Sequence, residues 1–360
     1  MDVMNARRNR PVSRITTAAA AAGATALGLV TLTACGSGTA GAGGDDGKVN
    51  VVASFYPLEY LAEEIGGEHV SVTTLTKPGV EPHDLEIKPR QTAELSEADV
   101  AFYLKGLQPA VDAAVAQSGV KKAVDAAELG AGEHGEGGHE EEPAEEHTDE
   151  HGDEHAEEQP DEHGDEHADE HSAEPEAGGD GHDHSGGASD PHLWLDPTQY
   201  AEVAEGFAKT LAEADPGHAA AYEKNADTLV KKLEALDKDF ADGLRNRTTD
   251  TFITTHAAFG HLSSRYGLEQ EAIGGLDPET EPSPARIREL HTIAEREKVT
   301  TVFFETLVSD ATAKTLAADT GLKTDVLDPL EGITDRSAGD DYFEVMRANL
   351  DALRKALGSG

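Results

Sequence analysis

From residue 49 onward, short β-branched runs alternate with segments whose apolar residues recur every three or four positions. Residues 49–54, VNVVAS, fit a buried parallel strand. Leu58, Leu61, Ala62 and Ile65 then share one helical face within residues 57–65, which stops at Gly66-Gly67. Strands at 70–75, 99–104 and 121–125 and helices at 89–96 and 108–117 complete a first series. A second series has strands at 251–255, 299–304 and 324–327 and helices at 257–266, 284–297 and 309–320. Ser283 before Pro284 marks a helix start, because the hydroxyl caps a free N–H and proline suits the first helical position. A closing helix at 342–357 turns Phe343, Met346, Leu350 and Leu353 inward. Such alternation predicts an α/β fold of two lobes, each a parallel sheet flanked by helices.

Between the two series the period lengthens. A helix is expected at 198–214, and residues 216–245 carry Tyr222, Ala226, Leu229, Leu233, Leu236, Phe240 and Leu244 on one stripe. That second stretch reads as one helix, roughly 45 Å long at 1.5 Å per residue. It is expected to be a long rigid connector joining the lobes. The layout that follows is a first lobe at 49–197, linking helices at 198–249 and a second lobe at 250–360. Residues 49–124 and 189–357 have ordinary composition and are enough for two lobes with separate cores.

The apolar pattern vanishes between residues 133 and 184. Ten of the chain's 17 histidines and 23 of its 71 acidic residues lie there, and no Lys or Arg occurs from Ala123 through Ala208. The insert, bounded at 133–189, has little apolar surface to offset its ordering entropy and is expected to be disordered. His147, His151 and His155 are spaced by four, as are His163, His167 and His171, with His182 and His184 beyond. These eight are candidate ligands of a secondary, low-affinity metal-collecting segment, since imidazole and carboxylate suit borderline divalent ions. A stable helix is not expected, given Gly152, Pro160, Gly164 and the dense negative charge. A solvated acidic linker is the plainer reading.

The formal charge of −42 excludes nucleic acid as a natural partner, because duplexes are bound through Lys and Arg. Arg7, Arg8, Arg10 and Arg14 precede a run from Ile15 to Ala34 without charge, which reads as a secretory signal peptide at 1–34. That run ends in Leu32-Thr33-Ala34-Cys35, which resembles a bacterial lipobox, and Cys35 is the only cysteine. A lone exported thiol has no internal disulfide partner, so Cys35 is the expected lipidation site. Residues 35–48 then read as a flexible tether.

Three histidines outside the insert share an address. His83 follows the strand at 70–75, His256 ends the strand at 251–255, and His192 lies in a proline-rich turn entering a helix. In open α/β sheets ligands bind beyond the carboxyl ends of the strands, so the three predict a site between lobes. A single loop histidine is usually solvated, but three at such positions are a stronger signal. His69, His218 and His291 read as surface residues. His261, on the assumption of one continuous helix from His256, points about 140° away from it. Glu305 suits equally a partner to a ligand histidine or a helix cap, and Trp194 reads as a core or cleft-wall residue.

Several ordered motifs carry a resemblance. They are Phe55-Tyr56-Pro57, Ile65-Gly66-Gly67, Pro78-Gly79-Val80-Glu81-Pro82-His83-Asp84-Leu85-Glu86, Asp190-Pro191-His192-Leu193-Trp194-Leu195-Asp196-Pro197, Thr255-His256-Ala257-Ala258-Phe259-Gly260, Phe304-Glu305 and Leu327-Asp328-Pro329-Leu330-Glu331-Gly332. Over residues 49–357 the chain resembles the zinc-binding members of the cluster A-I (cluster 9) metal-binding lipoproteins, the solute-binding proteins of ABC importers for high-affinity zinc uptake. Glu81 stands where many relatives have Asp.

The resemblance implies a metal site in the interlobe cleft, with His83 and His192 from the first lobe and His256 from the second. Glu331 is the matching fourth ligand, with Asp328 or water as alternatives. Three imidazoles and a carboxylate make a four-coordinate N/O set suited to zinc, whereas manganese favours a carboxylate in place of a histidine. The implied function is an extracytoplasmic lipoprotein that captures zinc(II) as transported ligand. It is expected to be a monomer, anchored to the outer face of the membrane through Cys35, delivering the ion to an ABC permease and its ATPase. A manganese- or iron-binding member of the same family, or an extracellular zinc buffer or adhesin, is the alternative. An enzyme is not expected: no H-E-x-x-H occurs, since HGDEH and HADEH lack Glu after the first His, and no Ser/His/Asp nucleophile motif is visible.

Overall fold

Residues 47–130 and 190–359 are described in a computed structural model of the chain. The signal region, Cys35, and the insert histidines His147, His151, His155, His163, His167, His171, His182 and His184 lie outside the described residues. Among those described, no helix is long and apolar enough to cross a membrane.

The first half runs β1 (Val49–Ala53), α1 (Tyr56–Gly66), β2 (Val70–Thr74), α2 (Pro89–Glu97), β3 (Val100–Tyr103), α3 (Pro109–Ser118), β4 (Lys122–Asp125) and α4 (Ala126–Gly130). Two linking helices follow, α5 (Pro197–Ala214) and α6 (Ala219–Gly243). The second half runs β5 (Thr251–Thr254), α7 (Gly260–Tyr266), β6 (Glu269–Ala272), α8 (Pro284–Arg296), β7 (Thr301–Phe304), α9 (Ala311–Thr320), β8 (Lys323–Val326) and α10 (Tyr342–Leu357). Both sheets are wholly parallel and have the same order, β2-β1-β3-β4 and β6-β5-β7-β8. Each order reverses at its first strand, which opens a crevice beyond the carboxyl ends of the strands.

The central strands β1, β3, β5 and β7 are largely buried on both faces, as parallel strands covered by helices must be. Val51 and Ala53 enter one apolar cluster while Val52 enters another, and Phe252 and Ile253 divide in the same way. The inner faces of the two sheets do not hold separate cores. Val51 and Phe102 of the first sheet and Phe252 and Phe303 of the second belong to one continuous cluster. Leu229, Leu233 and Phe240 of α6 and Met346 and Leu353 of α10 join it. Only the outer faces have small cores of their own. The expectation of separate cores fails because the amphipathic linking helices carry apolar surface from one sheet to the other.

α6 buries Tyr222, Ala226, Leu229, Leu233, Leu236 and Phe240, the stripe read from the sequence, and packs on α5, α1 and α10. It has 25 residues and so spans roughly 37 Å. The span is shorter at both ends: Asp215 closes α5 and residues 216–218 form the turn before Ala219, and the helix stops at Gly243 with Leu244 at its cap position. Among the described residues, β6 is the one strand that periodicity did not predict. Its sequence EQEA has no apolar alternation, and it is a strand by virtue of its pairing with β5.

Three hydrogen bonds tie distant elements together near the crevice. The Tyr200 hydroxyl of α5 donates to the Pro57 carbonyl at 2.6 Å, and the Tyr342 hydroxyl of α10 donates to the Trp194 carbonyl at 2.7 Å. The Trp194 indole N–H donates to the Pro329 carbonyl at 2.7 Å. Trp194 is buried, with its ring edge-on to Phe55 at 4.9 Å.

Candidate metal site

Four side chains converge in the crevice. Nitrogen atoms of His83, His192 and His256 and a carboxylate oxygen of Glu331 all lie within 4.8 Å of one another. His192 and His256 are wholly buried, Glu331 is 1% exposed, and the side chain of His83, 11% exposed, forms the outer edge.

Each loop that bears one of the four is held by polar groups whose places the fold sets. His83 sits in the loop after β2. Gln108, buried at the start of α3, donates its amide to the Pro82 carbonyl at 3.1 Å and to Thr76 Oγ1 at 2.9 Å. Glu81 Oε1 accepts the backbone N–H of His83 at 3.1 Å, and its Oε2 accepts that of Asp84 at 3.3 Å. The carboxylate at position 81 thus shapes the loop, and burial pushes its pKa upward.

His192 lies in the turn before α5. Asp190 Oδ1 accepts from its backbone N–H at 3.0 Å and from ring Nδ1 at 2.7 Å, which leaves Nε2 facing the crevice. His256 follows β5, and its Nδ1 lies 2.6 Å from Glu305 Oε1, which also accepts from the Thr255 hydroxyl. Glu305 comes from the end of β7 and is buried. It orients a histidine and is not a helix cap, since α9 starts only at Ala311 with Asp310 at its cap position.

Glu331 comes from the turn after β8. Asp328 accepts from the Leu330 N–H at 2.9 Å through Oδ1 and from the Thr306 hydroxyl at 3.1 Å through Oδ2. Both oxygens are therefore occupied in shaping the turn, and Asp328 is not part of the converging group. Asn349 of α10 fixes the same turn by bonding both backbone groups of Asp328. Leu330, at φ +59° and fully buried, takes the left-handed conformation directly before Glu331. For a residue with a side chain that conformation costs roughly 1–2 kcal/mol, offset here by the surrounding hydrogen bonds and packing.

Glu331 Oε1 lies 3.1 Å from His192 Nε2, 3.2 Å from His83 Nε2 and 3.4 Å from His256 Nε2. Among the described residues, Glu331 Oε2 is buried without a hydrogen-bond partner, and the buried His256 Nε2 has only the long 3.4 Å contact to Glu331 Oε1. Buried polar atoms left without full hydrogen bonds are costly unless a ligand completes them. Burial alone would lower the pKa of His256, but the charge of Glu305 and hydrogen bonds to Glu305 and Glu331 lift it to about 10. His192 is likewise raised, burial being outweighed by hydrogen bonds to Asp190 and Glu331. Burial would raise Glu331, yet its hydrogen bonds to the three histidines hold it well below the usual carboxylate range. In chemical terms the cluster is a set of three imidazoles and one carboxylate able to exchange its protons for a divalent cation.

The remaining histidines among the described residues are not part of the converging group. His69 stacks on His218 with ring centroids 3.9 Å apart, and His218 Nδ1 lies 2.6 Å from Asp215 Oδ2. His261 departs from expectation: α7 starts only at Gly260, so His256 is not on its helix, and His261 reaches Asp190 and Gln199. Sequence periodicity held no signal for the roles of Gln108, Asp190 and His261, because their partners lie far along the chain or beyond a turn.

The chain is similar to known zinc-uptake proteins. The family profile described as ZnuA, zinc-uptake complex component A periplasmic, matches residues 51–356. The zinc-binding lipoprotein AdcA of Streptococcus pneumoniae is 34% identical over 320 residues, covering 86% of this chain and 56% of that protein. The chain thus spans about half the length of the streptococcal relatives it matches. The high-affinity zinc uptake system protein ZnuA of Bacillus subtilis is 33% identical over 344 residues, covering 91% of this chain and 94% of that protein. Among solved structures, the Zn(II)-bound ZnuA-like domain of S. pneumoniae AdcA is similar with a TM-score of 0.63 and 30% identity, covering 86% of this chain and 99% of that one. The laminin-binding protein Lmb of Streptococcus agalactiae, described as having adhesin and metal-transporting activity, is similar with a TM-score of 0.65 and 26% identity over the same shares.

Proposed function

We propose, for a chain that belongs to the ZnuA family of zinc-uptake components, that it captures zinc(II) outside the cytoplasm and delivers it to an ABC permease. In this reading His83, His192, His256 and Glu331 hold one ion, and no chemical step is catalysed. The observation that carries it is the convergence of those four side chains within 4.8 Å. An N₃O set of that kind matches the four-coordinate preference of zinc.

The two ends of the ligand histidines divide the work. Each Nε2 faces the ion, while Nδ1 of His192 and of His256 is bound by a carboxylate, Asp190 and Glu305 respectively. Such outer carboxylates fix ring orientation and raise ligand basicity. His83, on the loop after β2 and the outermost of the four, is the natural gate for entry and release. The linking helix α6, packed on helices of both halves, limits hinge motion, so exchange proceeds through the His83 loop.

The segment at 133–184 gathers zinc weakly through His147, His151, His155, His163, His167, His171, His182 and His184 and passes it to the crevice. Cys35 carries the lipid that anchors the chain at the outer face of the membrane. The layout is a signal at 1–34, a tether at 35–48, lobes at 49–197 and 250–360, and linking helices at 198–249.

The test is zinc analysis of protein purified without added metal, beside His83→Ala, His192→Ala, His256→Ala and Glu331→Ala. One tightly held zinc per wild-type chain, lost or much weakened in each variant, supports the reading. Variants that keep wild-type affinity sink it.

A further inference from the structure

His261 has both ring nitrogens engaged, and its partners fix its chemical form. Its Nε2 lies 3.0 Å from the Asp190 carbonyl oxygen, which can only accept, so Nε2 carries a proton and donates. Its Nδ1 lies 2.9 Å from Gln199 Nε2, and that same amide nitrogen lies 3.1 Å from Asp196 Oδ2. A carboxylate selects the NH₂ end of the amide, so Gln199 donates in both directions and His261 Nδ1 is a bare acceptor. His261 thereby donates through Nε2 and accepts through Nδ1.

What it grips is the residue that orients His192. Asp190 lies in irregular chain before the turn at Leu193–Leu195, with no helix or strand to fix it. Its carboxylate Oδ1 receives both the backbone and the ring N–H of His192. Its Oδ2 rests against the backbone of Gly260, where an added Cβ would come within 2.4 Å of it. α7, from the second half, thus presents two successive residues to Asp190: Gly260 by making room and His261 by a hydrogen bond.

We propose that His261 is a positioning residue for the metal site. By holding the Asp190 backbone on α7 it sets the Asp190 carboxylate, and through it the ring orientation of His192. The proposal rests on His192 being a metal ligand. His261 also spans the two halves of the molecule, so the clamp keeps His192 in register with His256, five residues upstream of it on the second half.

The test uses the full chain with His261→Leu, which removes both hydrogen bonds, and His261→Gln, which keeps a donor and an acceptor on one amide. Zinc affinity is measured by competition with a chelator, and the d–d spectrum of the Co(II)-loaded chain reports ligand geometry. His192→Ala is run alongside. His261→Leu is expected to weaken zinc binding about tenfold, the low end for partners outside the ligand shell, and to shift the cobalt bands. His261→Gln is expected to restore most of the affinity and the wild-type spectrum. Lost affinity in His192→Ala beside wild-type affinity and spectrum in His261→Leu overturns the clamp alone. Unchanged affinity in His192→Ala overturns the ligand assignment and the clamp with it. If His261→Leu does not fold, Gln199→Ala removes the donor to Nδ1 and reads the same clamp: weakened binding and shifted bands support it, and wild-type values overturn it.

Discussion

The Trp194 indole N–H donates to the Pro329 carbonyl oxygen at 2.7 Å, joining the turn that bears His192 to the turn that bears Glu331. Two of the four converging residues, 139 positions apart, therefore share one frame. Tyr342 extends it by donating to the Trp194 carbonyl. Trp194→Phe keeps the aromatic body but leaves a buried carbonyl without its donor, which costs about 1–3 kcal/mol. We expect a lower unfolding midpoint for the metal-free chain and weaker zinc binding, read by denaturant titration and chelator competition. Unchanged values in both would show the two turns to be positioned independently.

Zinc uptake should expel protons. With His256 lifted to about 10 and His192 also raised, the metal-free site carries imidazolium at neutral pH. Affinity should therefore keep rising with pH beyond the ordinary histidine range of about 6.5, because each added pH unit lowers tenfold the proton activity that competes with the metal. Calorimetry at pH 7.5 in buffers of different ionisation enthalpy should find at least one proton released per zinc. A release of zero contradicts a metal-free site that carries imidazolium.

The same cluster gives the metal-free chain a stability profile of its own. His256, raised on folding, stabilises fully below its unfolded value near 6.5 and loses that contribution as pH climbs through about 10. Glu331, depressed on folding, stabilises above about 4.5 and loses its contribution as pH falls through its lower folded value. Both contributions are complete only between those two unfolded values. The difference in unfolding free energy between wild type and His256→Phe should accordingly shrink from pH 6 to pH 10 without zinc. A difference that grows over that range would mean that folding lowers the pKa of His256 instead of raising it.

Glu305 and Glu331 should separate cleanly on substitution. Glu305→Gln alters the partner of His256 Nδ1 and leaves the four converging residues in place. One zinc per chain should remain, held about 10–100-fold more weakly, as for other outer carboxylates. Glu331→Gln removes the anionic donor itself and should cost more. Equal losses in the two variants would mean that Glu331 is not in the metal's shell.

The sequence carried the four converging residues because each lies in an ordered motif at a strand end or a proline-rich turn. It carried the α6 stripe because one period runs through 25 residues. It did not carry β6, where Glu269–Ala272 offers no apolar alternation and pairing with β5 decides the matter. Nor did it carry the shared core, since periodicity shows which face of a helix is apolar but not what covers it. The partners of the loops that carry the four converging residues were hidden for a related reason. Gln108 reaches back 26 residues to Pro82, and His261 reaches back 71 to Asp190. Such pairings exist only once the halves have met.

The central claim is that the crevice, rather than the histidine-rich segment, holds the tightly bound ion. Zinc titration of a chain lacking residues 133–184, in competition with a chelator of known affinity, tests it most directly. The predicted result is one zinc per chain at wild-type affinity, with only the weak additional binding lost. Loss of tight binding in that deletion, with the fold intact, would contradict it.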